Sequence, residues 1–250
     1  MKAMVLAAGL GTRLRPLTND RPKALVEVGG RTMLEIVLER LRAFGVREAI
    51  VNVHHYADMV IEYLRAHENF EMRIEVSRED PVLDTGGGLK KAAWFFLEDG
   101  GDQPFLVHNV DVLSTIDLAA LAGAHEERGA VATLAVQDRA TSRYLLFDGE
   151  GQLCGRRAGR AGTPETVRDC RDAEALAFSG IQVLSPRLLT RMREEGAFSI
   201  ISTYLRLAGE GESVTAFRAD AYQWRDLGKP ESVAAAAREL SGRVAEGRKK

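Results

Sequence analysis

Cysteine is scarce in this chain: Cys154 and Cys170 are the only two among 250 residues. They form no Cys-x-x-Cys pair, and no histidine stands at metal-ligand spacing from either, which argues against a zinc module or a disulfide-framework domain. Two separate thiols in a reducing compartment are expected. Long apolar runs are equally absent. No stretch approaches the ~20 residues that span a bilayer, and the opening MKAMVLAAG lacks the length and cleavage pattern of a secretory signal. A cytoplasmic protein without a membrane partner is the expectation. Charge of one sign is missing too: 34 Lys and Arg against 36 Asp and Glu leave a formal net charge of −2. A nucleic-acid partner is therefore not expected, and any anion-binding surface must be local. There is no internal repeat and no low-complexity tract beyond Ala234–Ala237, which follows Pro230-Glu231 and reads as part of a surface helix.

Against these absences, 45% of the residues are hydrophobic, enough for one globular α/β domain with a sizeable core. Residues 2–8 are short, apolar and end in glycine, as a buried central strand does. A basic, glycine-rich loop runs from Gly9 to Lys23. Leu34, Val37, Leu38, Leu41 and Phe44 recur at helical spacing and predict a helix over 33–44 that Gly45 stops. A strand at 48–53, a helix at 57–67 and a strand at 72–76 follow. The loop Asp84–Gly88 opens a helix carrying Leu89, Ala92, Ala93 and Phe96, and a strand at 104–109 runs into Asp111. This alternation predicts βαβ units and a mainly parallel sheet. Such sheets bind ligands beyond the carboxyl ends of their strands, and Gly9–Lys23, Asp84–Gly88 and Asp111 all fall there. The second half is less regular. Strands are expected at 130–136, 143–147, 177–184 and 213–218, and helices near 117–127, 186–194 and 230–246. Segment 149–174, rich in Gly, Arg and Asp, reads as a long loop or lid.

The segment Leu6-Ala7-Ala8-Gly9-Leu10-Gly11-Thr12-Arg13-Leu14 begins like a dinucleotide fingerprint, but Leu14 stands where the third glycine belongs. No Gly-Lys-Ser/Thr of a Walker A loop follows either. What does follow is cationic. Backbone N–H groups at the glycines can approach an anion closely, Arg13 offers a bidentate fork, and Lys23 a point charge. Pro16 and Pro22 stiffen the stretch between them, while Arg15 and Arg21 read as solvated surface residues. A nicotinamide-dependent enzyme fares badly, because the second strand ends in Asn52-Val53-His54 with no acid to hold a ribose.

The run Leu6–Arg13 followed by Pro22-Lys23-Ala24-Leu25-Val26 resembles the signature of the sugar-1-phosphate nucleotidyltransferases. The resemblance extends over nearly the whole chain and is strongest over residues 1–120. It implies an α/β fold with a Rossmann-like, mainly parallel sheet, helices on both faces and an inserted sugar-binding β subregion. The whole chain would be one domain. Residues 1–120 would form the nucleotide-binding core, 121–228 the sugar-binding half with a second metal carboxylate, and 229–250 a C-terminal helix. The resemblance further implies a magnesium-dependent reaction in which Arg13 contacts the leaving pyrophosphate and Lys23 the phosphates. Leu6, Ala7, Ala8, Gly9, Gly11 and Thr12 would bind nucleotide, together with Thr85, Gly86 and Gly87 of a second glycine loop at the base edge, and Asn109. Asp111 and the Asp226 of Trp224-Arg225-Asp226-Leu227-Gly228 would hold the metal. Val110 stands where a glycine is usual and would narrow the nucleoside pocket. Phe178-Ser179-Gly180 resembles the segment lining the sugar, with Ser179 and Gly180 as sugar contacts. No Glu-Lys-Pro motif for the sugar phosphate is present; Arg156, Arg157 and Arg160 are candidate substitutes. Short family members acting on N-acetylmuramic acid 1-phosphate resemble the chain in Thr85–Gly88 and Phe178–Gly180 and lack that lysine too.

The implied reaction is attack by a sugar-phosphate oxygen on the α-phosphorus of an NTP. Such transfers rest on positioning and charge neutralisation and need no covalent nucleophile. UTP with an N-acetylated sugar 1-phosphate is the leading pair. Guanosine with a mannose- or heptose-type sugar, a non-sugar acceptor such as phosphocholine or a molybdenum cofactor, and a catalytically silent regulatory subunit are the alternatives. The chain stops soon after its last helix without a hexapeptide-repeat region, so no attached acyltransferase is expected, and a monomer or small homo-oligomer is. His54 and His55 are neighbours on a strand and point to opposite faces, which favours structural roles over a metal.

Overall fold

The computed structural model describes residues 1–98 and 100–247, so the last three residues of the helix expected over 229–250 lie outside the described residues. The sheet is founded on four parallel strands, β1 (Ala3–Leu6), β4 (Glu48–Val53), β5 (Arg73–Arg78) and β6 (Phe105–Asn109), in the spatial order β5-β4-β1-β6. A short hairpin, β2 (Glu27–Val28) and β3 (Arg31–Thr32), precedes helix α1 (Met33–Phe44). That helix illustrates how local sequence sets an element. The Thr32 side chain accepts the Glu35 N–H at 3.1 Å, one arm of a capping box, and Gly45 takes φ 106 to end it. Its Leu34, Val37, Leu38 and Leu41 are fully buried, each burial contributing about 1.5–3 kcal/mol.

Strand residues alternate between two cores. Ala3, Val5 and Val51 face one, and Met4 and Ile50 the other. The first core takes α1, α2 (Ala57–Ala66), α5 (Leu118–Arg128) and α8 (Pro230–Gly247). The second takes α3 (Asp84–Lys91), α4 (Ala93–Leu97), α6 (Arg187–Thr190) and α7 (Ile200–Gly209). The result is a mixed sheet with a parallel centre and helices on both faces, as the resemblance implied.

The remaining strands are the short β7 (Val112–Ser114), β8 (Ala132–Gln137), β9 (Arg143–Phe147), β10 (Leu153–Ala158), β11 (Glu165–Thr166), the long β12 (Glu174–Leu184), β13 (Val214–Arg218) and β14 (Trp224–Asp226). Six of them, β8 to β13, extend this sheet on the β6 side, and two, β7 and β14, form a separate ribbon. Ile181–Leu184 of β12 pair antiparallel with β6, whereas Glu174–Leu176 pair with β9. Between them the register against β8 shifts and Gly180 takes φ 72, a left-handed conformation that favours glycine.

Several expectations are corrected. The glycines 86–88 lie inside α3, which begins at Asp84, because tertiary packing overrides their poor helix propensity. The helix expected near 186–194 ends at Thr190; Arg206 takes the Arg191 carbonyl at 2.8 Å and Lys90 the Glu194 carbonyl at 2.6 Å, in place of a continuing helical ladder. Helix α7 was not foreseen, although its Ile200, Tyr204, Leu205 and Leu207 are buried at helical spacing. Segment 149–174 carries β10 and β11, and it holds a disulfide. Cys154 and Cys170, expected to be separate thiols, are bonded with their Cα atoms 5.3 Å apart. The chain folds β10 back past β11, so proximity and not spacing decides the pairing.

Candidate active site

The carboxyl ends of β1 and β6 lie side by side at the point where strand order reverses, and a cleft of about 430 Å³ opens there. Leu6, Ala8 and Gly9 line it from the loop after β1, Lys23 from the far end of that loop, Thr85 from the start of α3, and Asn109 and Asp111 from the end of β6. A Cβ placed on Gly9 would meet no atom within 4 Å. Protein packing therefore does not require glycine at that position. Gly11 differs: its φ is 64, and a Cβ there would come within 2.9 Å of the Thr18 methyl. The Thr18 hydroxyl donates to the Gly11 carbonyl at 2.9 Å, so the loop folds back on itself and delivers Lys23 to the cleft. Lys23 Nζ pairs there with Asp111 Oδ2, and both side chains are largely buried.

Asp226 reaches the same end of the sheet by a long-range contact. Strand β14 pairs antiparallel with β7, placing Asp226 opposite Val112, and the Leu227 N–H donates to the Asp111 carbonyl at 2.8 Å. The Gly228 N–H holds Asp226 Oδ1 at 2.7 Å. A Cβ on Gly228 would sit 2.8 Å from Arg13 Nη2 and 2.5 Å from Asp226 Oδ1, so the Arg13 guanidinium lies against this turn. Arg13 is exposed and, among the described residues, makes no ion pair. No group of three or more His, Cys, Asp or Glu side chains clusters as a metal cage among the described residues. Two carboxylates with room for phosphate oxygens are nevertheless a donor set that suits magnesium, which binds one or two carboxylates plus substrate.

Other expected residues sit one step back. The Ala7 N–H is spent on Asn52 Oδ1 at 2.7 Å, and Thr12 is exposed in a single 3-10 turn. Gly86 and Gly87 are buried; their N–H groups point at the Phe198 carbonyl, at 2.9 and 3.4 Å, and the Phe198 ring occupies the space of a Gly86 side chain. Gly180 backs onto Asn109, whose amide nitrogen would be 2.7 Å from a Cβ there, and Ser179 is fully buried. Val110 is buried and lines the cleft. His54 Nδ1 bonds the Glu79 carbonyl at 2.8 Å and the His55 ring lies 3.9 Å from that of Tyr56, both structural contacts. Arg156 and Arg160 are exposed and paired with Glu165 and Asp138, and Arg157 lies over the Tyr144 ring.

Three groups escaped the sequence. Asn52 and Glu79 form a buried bridge, Asn52 Nδ2 donating to Glu79 Oε1 at 2.7 Å and the Leu83 N–H to Glu79 Oε2 at 2.8 Å. A polar residue within the apolar strand 48–53 was the available signal for Asn52. Arg40 of α1 meets His108 Nε2 at 3.1 Å and also donates to the Ile116 carbonyl. His108 Nδ1 lies 2.8 Å from the Asn109 carbonyl, so Arg40 grips the Asp111 segment from both flanks. Burial, joined by the Arg40 charge, pushes the His108 pKa down to about 3, and burial brings Arg40 to about 10. Last, Arg139 lies with its guanidinium 3.6 Å from the centre of the Trp224 ring.

A family model described as nucleotidyl transferase matches residues 2–154. The N-acetylmuramate alpha-1-phosphate uridylyltransferase of Caulobacter vibrioides is 36% identical over 248 residues, 96% of each chain. A UTP–glucose-1-phosphate uridylyltransferase of Synechocystis is 30% identical, and a mannose-1-phosphate guanyltransferase of Yarrowia lipolytica 32%. In both pairs 92% of this chain is covered, but it spans only 60% and 61% of those relatives. Among solved structures, HddC of Yersinia pseudotuberculosis matches with a TM-score of 0.75 at 21% identity, covering 96% of this chain and 99% of that one. The inositol-1-phosphate CTP transferase of T. maritima matches with a TM-score of 0.72 at 20% identity, over 98% and 96%. These two establish the fold. Together with the family model and the full-length relative, they show that the chain belongs to the nucleotidyl transferase family and is an enzyme of the sugar-1-phosphate nucleotidyltransferase class.

Proposed function

We propose that the chain makes an NDP-sugar and pyrophosphate from an NTP and a sugar 1-phosphate, with UTP and an N-acetylated sugar 1-phosphate as its pair. The observation that carries the mechanism is the 2.8 Å bond from the Leu227 N–H to the Asp111 carbonyl, which ties the segment bearing Asp226 to the segment of Asp111, a residue of the cleft wall. An oxygen of the sugar phosphate attacks the α-phosphorus of the NTP. The bond from that phosphorus to the β-phosphate oxygen breaks, and pyrophosphate leaves. Charge repulsion between two anions is the main obstacle, and placed cations lower it. Arg13, unpaired against the Gly228 turn, takes the departing pyrophosphate, and Lys23 clamps the phosphate chain while keeping Asp111 oriented. Leu6, Ala8, Gly9, Thr85 and Asn109 border the nucleoside, and Ser179 and Gly180 back the sugar. Asp111 and Asp226 would hold magnesium, which when bound would supply further charge neutralisation at the phosphates. In this reading residues 1–120 serve the nucleotide and 121–228 the sugar and the second metal carboxylate, in a cytoplasmic protein.

The choice of uridine and an N-acetylated sugar is supported by the relative that matches along the full length of both chains. Pyrophosphate release with magnesium, across a grid of NTPs and sugar 1-phosphates, tests it. Strong release with UTP and an N-acetylated sugar 1-phosphate is expected. A guanosine and mannose pair as the best substrates would overturn the substrate choice, and silence with nucleotide still bound would overturn the activity.

A further inference from the structure

The half of the site that receives the sugar phosphate has an evident electrostatic deficit. The acceptor arrives as a phosphate dianion beside a triphosphate and two carboxylates, and both cations so far described, Arg13 and Lys23, belong to the loop after β1. Of the three arginines that the sequence offered for the acceptor side, Arg156 is paired with Glu165 and Arg160 with Asp138, while Arg157 lies over the Tyr144 ring and not on the ribbon that carries Asp226. Arg139, two residues past the end of β8, is different. No carboxylate pairs with it among the described residues. Its Nη2 donates to the Phe178 carbonyl at 2.8 Å and its guanidinium stacks on Trp224, while its Nε is buried without an acceptor. Trp224 in turn donates from Nε1 to the Ser179 carbonyl at 2.7 Å. The guanidinium plane is therefore fixed by the segment Phe178-Ser179 on one side and by β14 on the other, two residues before Asp226. Asp226 lies near enough to act on it electrostatically.

A half-buried cation without a counter-ion is costly unless something anionic completes it. A stacked, pre-oriented guanidinium is also the side chain best shaped to grip a phosphate. We infer that Arg139 binds the phosphate of the acceptor and takes the place of the absent Glu-Lys-Pro lysine. The inference rests on the nucleotidyl transfer proposed above. Arg13 and Arg139 both neighbour the Asp226 turn, so in this arrangement the pyrophosphate and the acceptor phosphate each have their own guanidinium. Arg139 is a binding residue: it lowers the acceptor's KM and orients its attacking oxygen.

Two variants separate charge from shape. Arg139→Met keeps the packing on Trp224 and removes the charge; Arg139→Lys keeps the charge and loses the fork. With NTP saturating, Arg139→Met is expected to raise the KM for sugar 1-phosphate roughly 10- to 100-fold, the range for losing a charged hydrogen bond. The KM for NTP should stay within about twofold of wild type, and Arg139→Lys should recover part of the loss. An unchanged acceptor KM in Arg139→Met overturns the inference. So does equal damage by both variants together with a shifted NTP KM, which marks a structural role. A rise confined to acceptors carrying a carboxylate on the sugar assigns Arg139 to that group and overturns the phosphate assignment. Calorimetric titration of the sugar 1-phosphate and of the unphosphorylated sugar provides a readout without turnover. Wild type should distinguish them and Arg139→Met should not; identical phosphate binding by both proteins overturns the inference. If wild type releases no pyrophosphate with any pair, the nucleotidyl transfer fails, and this titration still decides whether Arg139 binds the phosphate. Thermal unfolding checks that Arg139→Met is folded, and where it is not, Arg139→Lys carries the same titration with a smaller expected loss.

Discussion

The two halves of this site are assembled from different materials. From Leu6 to Asp111 most groups at the cleft hang from the ends of adjacent parallel strands or from the loop after β1, with Thr85 from the start of α3, so backbone hydrogen bonds hold much of their spacing. From Arg139 to Asp226 the groups come from a bulged strand, a two-stranded ribbon and a loop, and side chains hold them: Arg139 on Phe178, Trp224 on Ser179, and a disulfide across 154–170. The first half is thus positioned chiefly by backbone pairing. The second is positioned by side-chain contacts laid across strands and loops, although β12 itself belongs to the same sheet.

The largest test of this contrast is Arg13→Ala, which should lower kcat about 100-fold or more with every acceptor, as loss of a transition-state charge contact does. Steady-state pyrophosphate release measures it, and a loss that depended on the sugar would blur the division of labour. Next comes reduction of Cys154–Cys170. Opening a loop of this length should cost about 3 kcal/mol of folding stability by the chain-entropy argument. The cost should be read in denaturant melts with and without dithiothreitol, while NTP binding at constant temperature stays put. A pair of identical substitutions sharpens the contrast further. Gly86→Ala pushes a methyl into the Phe198 ring and should destabilise by about 1–3 kcal/mol. Gly9→Ala meets no protein atom, so it should leave the melting temperature alone and raise the KM for NTP roughly 10-fold, a methyl's worth of exclusion. Equal stability losses in the two variants would show that Gly9 is there for packing.

The remaining test, common to both halves, is acid sensitivity. Burial depresses His108 to about 3, with Arg40 adding to it, and depresses His125 to about 4, with Arg187 adding to it, from an ordinary 6.5. Both stay neutral when folded but take up protons when unfolded below pH 6.5. The stability present above 6.5 is therefore lost as pH falls from 6.5 toward 4 and 3, by at most about 1.4 kcal/mol per pH unit for each group. Urea unfolding at pH 7 and pH 5 should show a slope that His125→Asn makes shallower. A slope unchanged in that variant would place the protons elsewhere.

Much of the first half was readable from the chain because its signals are local. Periodicity and Gly45 set the bounds of helix α1, and the glycines and cations of one short loop pointed to the strand end where Lys23 reaches the cleft. The C-terminal helix was equally plain from Pro230 and its apolar spacing. Pairings between distant segments were not readable, since they depend on sheet register and on the path of the chain, which no short window contains. So the sequence named Asp111 and Asp226 but could not join them; the β7–β14 ribbon did. It offered Arg156, Arg157 and Arg160; the fold gave the first and last to acids, laid Arg157 over Tyr144, and set Arg139 on Trp224. It presented two cysteines without a pattern, and folding β10 back past β11 brought them together. Local steric and hydrogen-bonding preferences choose the elements and the chemistry at their ends; which of those ends meet is settled only when burial of both faces of the sheet selects one packing out of many.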